Sequence, residues 1–182
     1  MIVVETERLY LREMTQEDYP ALCLILQDAD VMYAYEHAFN DQETHDWLDR
    51  QILRYSELGY GLWAVILKET NEMIGQCGLS MQDCDGRQVL EVGYLLQKAF
   101  WQKGYATEAA IACKEYAFEA LGAEEVFSII RDSNVASQNV AKRNGMRVCA
   151  QFIKHYYGVD MPHFVFHAVN GKENASHASR ND

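Results

Sequence analysis

Three runs of β-type sequence lie between Gly61 and Leu96, and a long helix lined with small residues follows them. The three runs read GLWAVIL, MIGQCGLSM and VLEVGYLL, with turn-like segments between them, which predicts an antiparallel meander. The helix extends from about Gly104 to Leu121, and its alanines recur on one face, so it can pack closely on a sheet. This order requires a sheet that is covered by helices.

The flanking segments extend this pattern on both sides. A strand around Leu9 and Leu11 precedes a helix that begins near Thr15, and a second helix is predicted from about Asp41 to Leu58. After the long helix come a strand at 125–130, a helix at 133–144 and two closing strands, FIKHYY and HFVFHAV. The prediction is an α/β (α+β) fold, with a mixed, mostly antiparallel central sheet of about seven strands and helices on both faces.

The length of 182 residues favours one domain with a single substantial core. We expect this domain to cover residues 1–170 and the polar segment 171–182, GKENASHASRND, to be a disordered tail. No stretch approaches the roughly 18 consecutive apolar residues of a spanning helix, and the charged opening residues do not form a signal peptide. A cytoplasmic protein with no membrane partner is therefore expected.

Charge and cysteine usage restrict the partners further. The formal net charge is −11 with no long basic run, so nucleic acid is a disfavoured partner, and cationic substrates would be attracted. The same acidic balance also serves solubility alone. Five cysteines without a CxxC pair fit neither a disulfide framework nor a zinc site. His163 and His167 share a strand face but would lie about 13 Å apart, so no metal is expected.

The stretch GYLLQKAFWQKGYATEAA places a loop containing Gly104 between a strand and the start of the long helix. The first amides of a helix have no partner within it and lie at the positive end of its dipole, so a loop around them can bind an anion. Gly104 would allow close approach of a phosphate, and the small side chain of Ala106 would not block it. Gly93 is expected to introduce a bulge that splays the preceding strand and frees its amides for a ligand.

The motif KGYATEA resembles that of the GNAT superfamily of N-acetyltransferases, and so do the later segment NVASQNVAKRNGM, the strand EVGYLL and the opening ETERLYLRE. The likeness is greatest to the RimJ/RimL-like branch and covers roughly residues 5–168. It implies acetyl-CoA as co-substrate and acetyl transfer to a primary amine by direct attack in a ternary complex. The family's loop pattern Q/R-x-x-G-x-G/A falls on residues 101–106, with Trp101 in place of Gln or Arg.

The resemblance also implies which residues hold acetyl-CoA. Backbone amides of the loop would bind the diphosphate, and this group comprises Gln102, Lys103, Gly104, Tyr105, Ala106 and Thr107. The strand end at Leu95 and Leu96 would pair with the pantetheine arm and polarise the thioester carbonyl. Asn134 and Ser137 match positions that line the pantetheine and cysteamine end. Lys103, Lys142 and Arg143 are candidates for neutralising the nucleotide phosphates.

Transfer requires a neutral amine, because an ammonium group has no lone pair. Glu91 resembles the family's glutamate that takes the proton through water, and the alternative is an exposed strand residue in a cross-strand ion pair. Many members supply an acid from a tyrosine in the helix after Asn134, but Ala141 stands at that position here. Ser137 could protonate the leaving sulfur, hydrogen-bond the cofactor or satisfy local backbone.

The acceptor remains open at the level of sequence. The branch favours the α-amine of a protein N-terminus, as in ribosomal-protein-alanine N-acetyltransferases, and the alternative is a small amine such as a polyamine, amino sugar or drug. A non-catalytic acyl-CoA sensor is the hypothesis from another class. Tyr33, Tyr35, His37 and Phe39 could wall an acceptor pocket or plug the core edge. The closing strand HFVFHAV could pair across a homodimer or be internal.

Overall fold

A computed structural model describes residues 1–156 and 158–171 of the chain. The described elements, in chain order, are β1 (Ile2–Glu5), β2 (Leu9–Arg12), α1 (Tyr19–Leu26), α2 (Asp41–Leu58), β3 (Leu62–Leu67), β4 (Glu72–Cys84), β5 (Arg87–Leu96), α3 (Tyr105–Glu119), β6 (Glu125–Arg131), α4 (Val135–Arg143), β7 (Arg147–Tyr156) and β8 (Val159–Val169). The tail predicted at 171–182 lies outside the described residues from position 172 onward. In the part of the chain that is described, no helix is both long enough and apolar enough to cross a bilayer.

The described strands form one eight-stranded sheet in the order β1-β2-β3-β4-β5-β6-β8-β7. Every neighbouring pair is antiparallel except β5 and β6, which are parallel. The predicted mixed, mostly antiparallel sheet is confirmed, and β1 brings the strand number to eight. The closing strand β8 lies between β6 and β7, so it is internal to the sheet and β7 is the edge.

The two larger hydrophobic clusters lie on opposite faces of the sheet. The small-residue stripe of α3 is fully buried against one face, where Ala109, Ala110, Cys113 and Ala117 are all 0% exposed. On the opposite face, α1 and α2 bury a second cluster that includes Leu22, Leu26 and Leu48. The five cysteines are free thiols, as predicted, and the close pair Cys77 and Cys113 lies between β4 and α3.

Helix α2 begins and ends where its sequence signals indicate. Asn40 is the N-cap, and its side chain accepts a hydrogen bond from the Glu43 amide (2.9 Å). The Glu43 carboxylate accepts one from the Asn40 amide in return (2.9 Å), which completes a capping box. Gly59 ends the helix in the left-handed conformation (φ 77°). These two caps set where α2 begins and ends.

Strands β5 and β6 diverge after a single registered pair, Glu91 with Phe127. The predicted splay is thus present, but the predicted bulge at Gly93 is wrong, because the register of β4 with β5 has no shift from Gly75–Leu96 to Cys84–Arg87. The continuous ladder with β4 holds one side of β5, so the other side becomes free when β6 turns away and no extra residue is needed.

Candidate active site

The cleft between the diverging strands exposes one side of the β5 backbone. The Ser128 hydroxyl of β6 donates to the Val92 carbonyl (2.8 Å), so the peptide groups of Val92 point toward β6. Because the two peptide groups of one strand residue point to the same side and alternate along the strand, those of Tyr94 and Leu96 also face the cleft. Leu95 has its peptide groups toward β4, and its side chain lines a cavity.

The loop before α3 contains two residues with left-handed backbone and leads directly into the first turn of the helix. Gly104 is the N-cap of α3 with φ 82°, and Gln102 also has a positive φ of 61°. Among the described residues, no side chain caps the first turn, so its amides stay available to a ligand. Successive amides in such a turn converge on one point and attract anions. The amides concerned belong to the predicted set that includes Tyr105, Ala106 and Thr107.

Trp101, the departure from the family's loop pattern, has a structural role. Its indole nitrogen Nε1 donates to the Leu96 carbonyl (3.0 Å) and so attaches the loop to the end of β5. Lys103 is exposed, with its Nζ atom 5.2 Å from the centre of the Phe100 ring. The Trp101 side chain therefore anchors the loop, and the Trp101 amide donates to the Lys98 carbonyl (3.2 Å), whereas the first turn of α3 has no side-chain cap.

Arg8 belongs to this loop in space, and sequence reasoning did not assign it to the site. Its Nη1 atom donates to the Lys103 carbonyl (3.0 Å), and its Nε atom pairs with Glu108 of α3 (2.7 Å). Its guanidinium carbon lies 4.5 Å from the centre of the Tyr105 ring. The segment ETERLYLRE contributed to the family resemblance, but its contact with α3 spans about 100 positions and has no local signal.

Asn134 and Ser137 lie at the N-terminus of α4, across the cleft from β5. The Asn134 oxygen Oδ1 accepts from the Ser137 amide (3.1 Å) and from the Tyr33 hydroxyl (2.8 Å). Tyr94 of β5 donates its hydroxyl proton to the Ser137 carbonyl (2.7 Å). Within residues 1–156 and 158–171, the Ser137 hydroxyl has no hydrogen-bond partner, so it does not serve the local backbone.

The later part of α4 is turned away from the cleft. Ala141, at the position where many family members have tyrosine, is fully buried in the core on the α3 side. Lys142 and Arg143 are exposed in the last turn, where they complement the helix dipole. The next residue, Asn144, donates to the Ala110 carbonyl (3.2 Å), which places this end beyond the first turn of α3.

A cavity of about 510 Å³ opens on the sheet face that carries Glu91. Its floor is formed by alternate residues of β4 and β5, which are Gln76, Ser80, Gln82, Glu91, Gly93 and Leu95. Helix α2 forms one wall, and the loop after α1 contributes Tyr35, His37 and Phe39. A cluster of His, Cys, Asp or Glu side chains suited to a metal ion does not occur among the described residues.

Glu91 lies in the cavity floor at the point where β5 and β6 part. Its Oε2 atom accepts a hydrogen bond from the Ile129 amide (3.1 Å). Burial raises the pKa of the Glu91 carboxyl to about 7, although the hydrogen bond from Ile129 opposes this shift. No salt bridge involves Glu91 in the described part of the chain, and its register neighbours are Ser80 and Phe127. The two register neighbours therefore offer no ion-pair partner, and the nearby positive charge is that of Lys154, which lines the same cavity and also opposes the rise of the Glu91 pKa.

The α2 wall contains residues that the sequence did not mark as functional. Trp47 is partly exposed and lines the cavity, and its Nε1 atom donates to Gln76 Oε1 (3.0 Å). Arg50, Gln51 and Arg54 line the same cavity. Their helical spacing from Trp47 was a signal for a shared face, but a polar helix face is more often only solvated.

Comparisons with known proteins agree with this architecture. The family model for the acetyltransferase (GNAT) domain matches residues 8–147. The Bacillus subtilis (strain 168) protein YkkB, itself uncharacterized, is 36% identical over 144 residues, which are 78% of this chain and 83% of YkkB. A GNAT-family acetyltransferase structure from Bacillus anthracis superposes with a TM-score of 0.80 at 23% identity, and the match covers 93% of this chain and 98% of that one.

A further similar structure contains a ligand. RimL, a ribosomal-protein alpha-N-acetyltransferase solved in complex with coenzyme A, has a TM-score of 0.73 at 21% identity. The match covers 92% of this chain and 97% of RimL. At this identity, the likeness establishes a shared fold.

Proposed function

The chain belongs to the GNAT acetyltransferase family, and on that premise we propose that it transfers the acetyl group of acetyl-CoA to a primary amine, with the α-amine of a protein N-terminus as the acceptor. The observation that carries the proposal is the position of Glu91. The partly buried Glu91 carboxyl, with a pKa of about 7, lies in the cavity floor at the point where β5 turns a free backbone edge to the cleft. A base and an oxyanion site are thus adjacent.

The residues of the cofactor loop fit acetyl-CoA. The left-handed Gly104 and the uncapped first turn of α3 offer converging amides to a diphosphate. The cleft-facing backbone of Tyr94 and Leu96 would bind the pantetheine arm as a neighbouring strand does and hydrogen-bond the thioester oxygen. Acetyl-CoA supplies the acetyl group as a thioester, and the CoA thiol is the leaving group.

Glu91 acts as the general base in this proposal. The acceptor amine loses a proton to the Glu91 carboxylate, directly or through one water, as its nitrogen bonds to the acetyl carbon. The carbon–sulfur bond then breaks, and the sulfur takes up a proton to leave as the thiol. The free hydroxyl of Ser137, at the N-terminus of α4, is our candidate for that proton or for a hydrogen bond to the sulfur.

The same experiment tests two alternative functions, acetylation of a small amine and non-catalytic binding of acyl-CoA. A small amine would use the same base and cleft, and the α2 wall makes the cavity concave enough to hold one. An acyl-CoA sensor would use the cleft alone. A buried alanine, Ala141, occupies the position of the tyrosine acid found in many family members. The absence of that acid is the reason to test the sensor function as well.

The experiment is a thiol-release assay with acetyl-CoA and two panels of acceptors, short peptides with free N-termini and small amines. Intact mass and fragmentation of the peptide products locate the acetyl group. The proposal expects release of one thiol per acetylated α-amine, with loss of most activity in Glu91→Gln. Turnover of small amines alone would show that the acceptor is a small amine and not a protein N-terminus. Saturable acetyl-CoA binding without thiol release on either panel would establish the sensor instead.

A further inference from the structure

The cavity wall formed by α2 follows β4 level by level. Trp47 contacts Gln76 through the Nε1–Oε1 hydrogen bond of 3.0 Å. Four residues later, Gln51 Oε1 accepts from the amide of Leu62 (3.2 Å), and Leu62 is in register with Gly78. Four helix residues advance by about 6 Å and two strand residues by about 7 Å, so every fourth residue of α2 lies beside every second residue of β4 along this wall.

The next turn of α2 lies beside the part of the sheet that contains Glu91, the proposed base. Two residues beyond Gly78 on β4 is Ser80, which is in register with Glu91. Three residues beyond Gln51 on α2 is Arg54, whose Nη1 atom donates to Gln51 Oε1 (3.3 Å). Arg54 therefore lies on the wall near the level of Glu91.

Two cations on this wall have no acidic partner. In the described ranges 1–156 and 158–171, neither Arg50 nor Arg54 forms a salt bridge. The guanidinium carbon of Arg50 lies 5.8 Å from the centre of the Trp47 ring, and Arg54 contacts only the neutral amide of Gln51. Both line the cavity. The net charge of the chain is −11, so two arginines without acidic partners make the charge at this cavity wall opposite in sign to that of the protein as a whole.

The acidic residues of the cavity do not cancel this pair. Glu43 accepts hydrogen bonds from the Asn40 amide and from His37 (2.7 Å), and Glu36 is exposed on the loop after α1. Glu91 lies in the floor with Ile129 as its hydrogen-bond donor. In the described residues, none of these three carboxylates forms a salt bridge with Arg50 or Arg54, so both guanidinium groups stay available to a ligand.

A second observation at the same wall points to an oxygen ligand. Gln51 and Gln76 are both fully buried, both line the cavity, and the Nε2 atom of each lacks a hydrogen-bond partner in the described structure. A buried donor without an acceptor is unfavourable, so an arriving oxygen acceptor would be stabilised there.

We propose that the acceptor carries a carboxylate close to its reactive amine, bound by Arg50, Arg54 and the Gln51 side-chain amide while the amine is held at Glu91. The inference rests on the proposed acetyltransferase function and narrows its substrate class. The planar fork of arginine matches the two oxygens of a carboxylate. An N-terminus followed by Asp or Glu presents this chemistry, and so does a free amino acid, whereas a polyamine would meet two like charges.

The test compares matched acceptors in wild type and in the double variant Arg50→Gln/Arg54→Gln. One pair is a pentapeptide with Glu or Gln at its second position, and the other is an amino acid and its amide. The double variant is expected to lower kcat/KM for the carboxylate acceptors by about 10- to 100-fold and to change the amides by no more than about twofold. For each acceptor, kcat/KM of the wild type is divided by kcat/KM of the double variant. Differences in amine pKa between the acceptors cancel in this ratio.

Each outcome decides the proposal. A loss confined to the peptide pair identifies acidic N-termini, and a loss confined to the amino-acid pair identifies small zwitterions. Equal losses for carboxylate and amide, or no loss, would overturn the carboxylate site. Arg147→Gln is the control matched to the single variant Arg50→Gln, because Arg147 is exposed on β7 outside the cavity and each of these two changes removes one positive charge. Arg50→Gln alone, at an exposed position, serves if the double variant is unstable.

A binding measurement separates this inference from the proposed function. Each acceptor is titrated by calorimetry into protein saturated with CoA, which requires no turnover. Carboxylate acceptors that bind and are weakened in the variant would support the site even if no thiol were released on any panel. Thiol release from amide acceptors without preference for the carboxylate would leave the function standing and remove the inference. Failure of both carboxylate acceptors to bind or react would also remove it.

Discussion

The Glu91 carboxylate and the Ile129 backbone amide are joined by a 3.1 Å hydrogen bond across the point where β5 and β6 diverge. The bond fixes the carboxyl in the cavity floor, and burial raises its pKa to about 7. A base with this pKa is in its active, ionised form in about half of the molecules near neutral pH. The divergence of two strands thus positions both the cleft and the carboxyl that we propose as the base.

The rate should depend on the ionisation of Glu91. We expect the ratio of kcat/KM for wild type to that for Glu91→Gln to rise with pH up to about 7 and to level off above it, because only the carboxylate accepts a proton. The ratio at the plateau should be about 100 or more. Because both proteins are assayed with the same acceptor, the effect of amine ionisation on kcat/KM cancels in the ratio. A ratio that does not vary between pH 5.5 and 8.5, the range of about 1.5 units on either side of this pKa, would exclude Glu91 as the base.

The same group should reduce stability at alkaline pH. Its pKa is raised from 4.5 to about 7 in the folded protein, so the folded state retains a proton that the unfolded state has lost. This contribution is present at low pH and is lost as pH rises through about 7. Glu91→Gln should therefore have a higher Tm than wild type at pH 8, and the difference should shrink toward pH 5. Glu57→Gln, at an exposed position of α2, should show no such trend.

Gly104 should be required for acetyl-CoA binding beyond its effect on stability. Gly104→Ala forces a side chain into φ 82° and places its Cβ atom 3.3 Å from an Arg8 nitrogen, so the loop should distort. Gly86→Ala, at φ 83° with open space around it, imposes the same backbone strain in the turn between β4 and β5. Both should lose roughly 1 kcal/mol of stability. Calorimetric titration should show weaker acetyl-CoA binding only in Gly104→Ala, and equal affinities would contradict the site.

Gly78 and Gly93, which face each other in the register of β4 and β5, should differ in tolerance. A Cβ atom at Gly78 would lie 2.1 Å from the Gly61 carbonyl oxygen, and backbone cannot yield as a side chain can. Gly78→Ala should therefore destabilise by about 2 kcal/mol or more. Gly93→Ala meets nothing closer than Glu91 Oε1 at 3.6 Å and should unfold at a similar denaturant concentration to wild type. Urea unfolding of both variants makes the comparison.

Ser137→Ala should change catalysis without changing the fold, since the Ser137 hydroxyl has no partner in the described residues. We expect Tm to stay constant and kcat to fall at least about tenfold if the hydroxyl protonates the sulfur. A rise in KM for acetyl-CoA at constant kcat would instead assign a cofactor contact. Unchanged kinetics would remove Ser137 from the site.

Local signals determined much of the fold and one half of the site. The periodicity of α2, the capping residues Asn40 and Gly59, and the small-residue stripe of α3 act within a few positions, so the sequence alone predicts these elements. The amides at the start of α3 are free because every helix begins with unpaired donors. The bulge expected at Gly93 was wrong, because whether β5 leaves β4 or β6 depends on neighbouring strands.

The other half of the site was decided by tertiary structure. The pKa of Glu91 depends on burial by distant segments, and the attachment of Arg8 to the loop depends on a contact with Glu108. The face that α2 turns to the cavity, with Arg50 and Arg54 beside Gln51, has no mark in the sequence that separates it from a solvated face. Desolvation and contacts between remote segments exist only after the chain has folded, and for this reason sequence patterns predict the proposed cofactor loop but not the proposed acceptor wall.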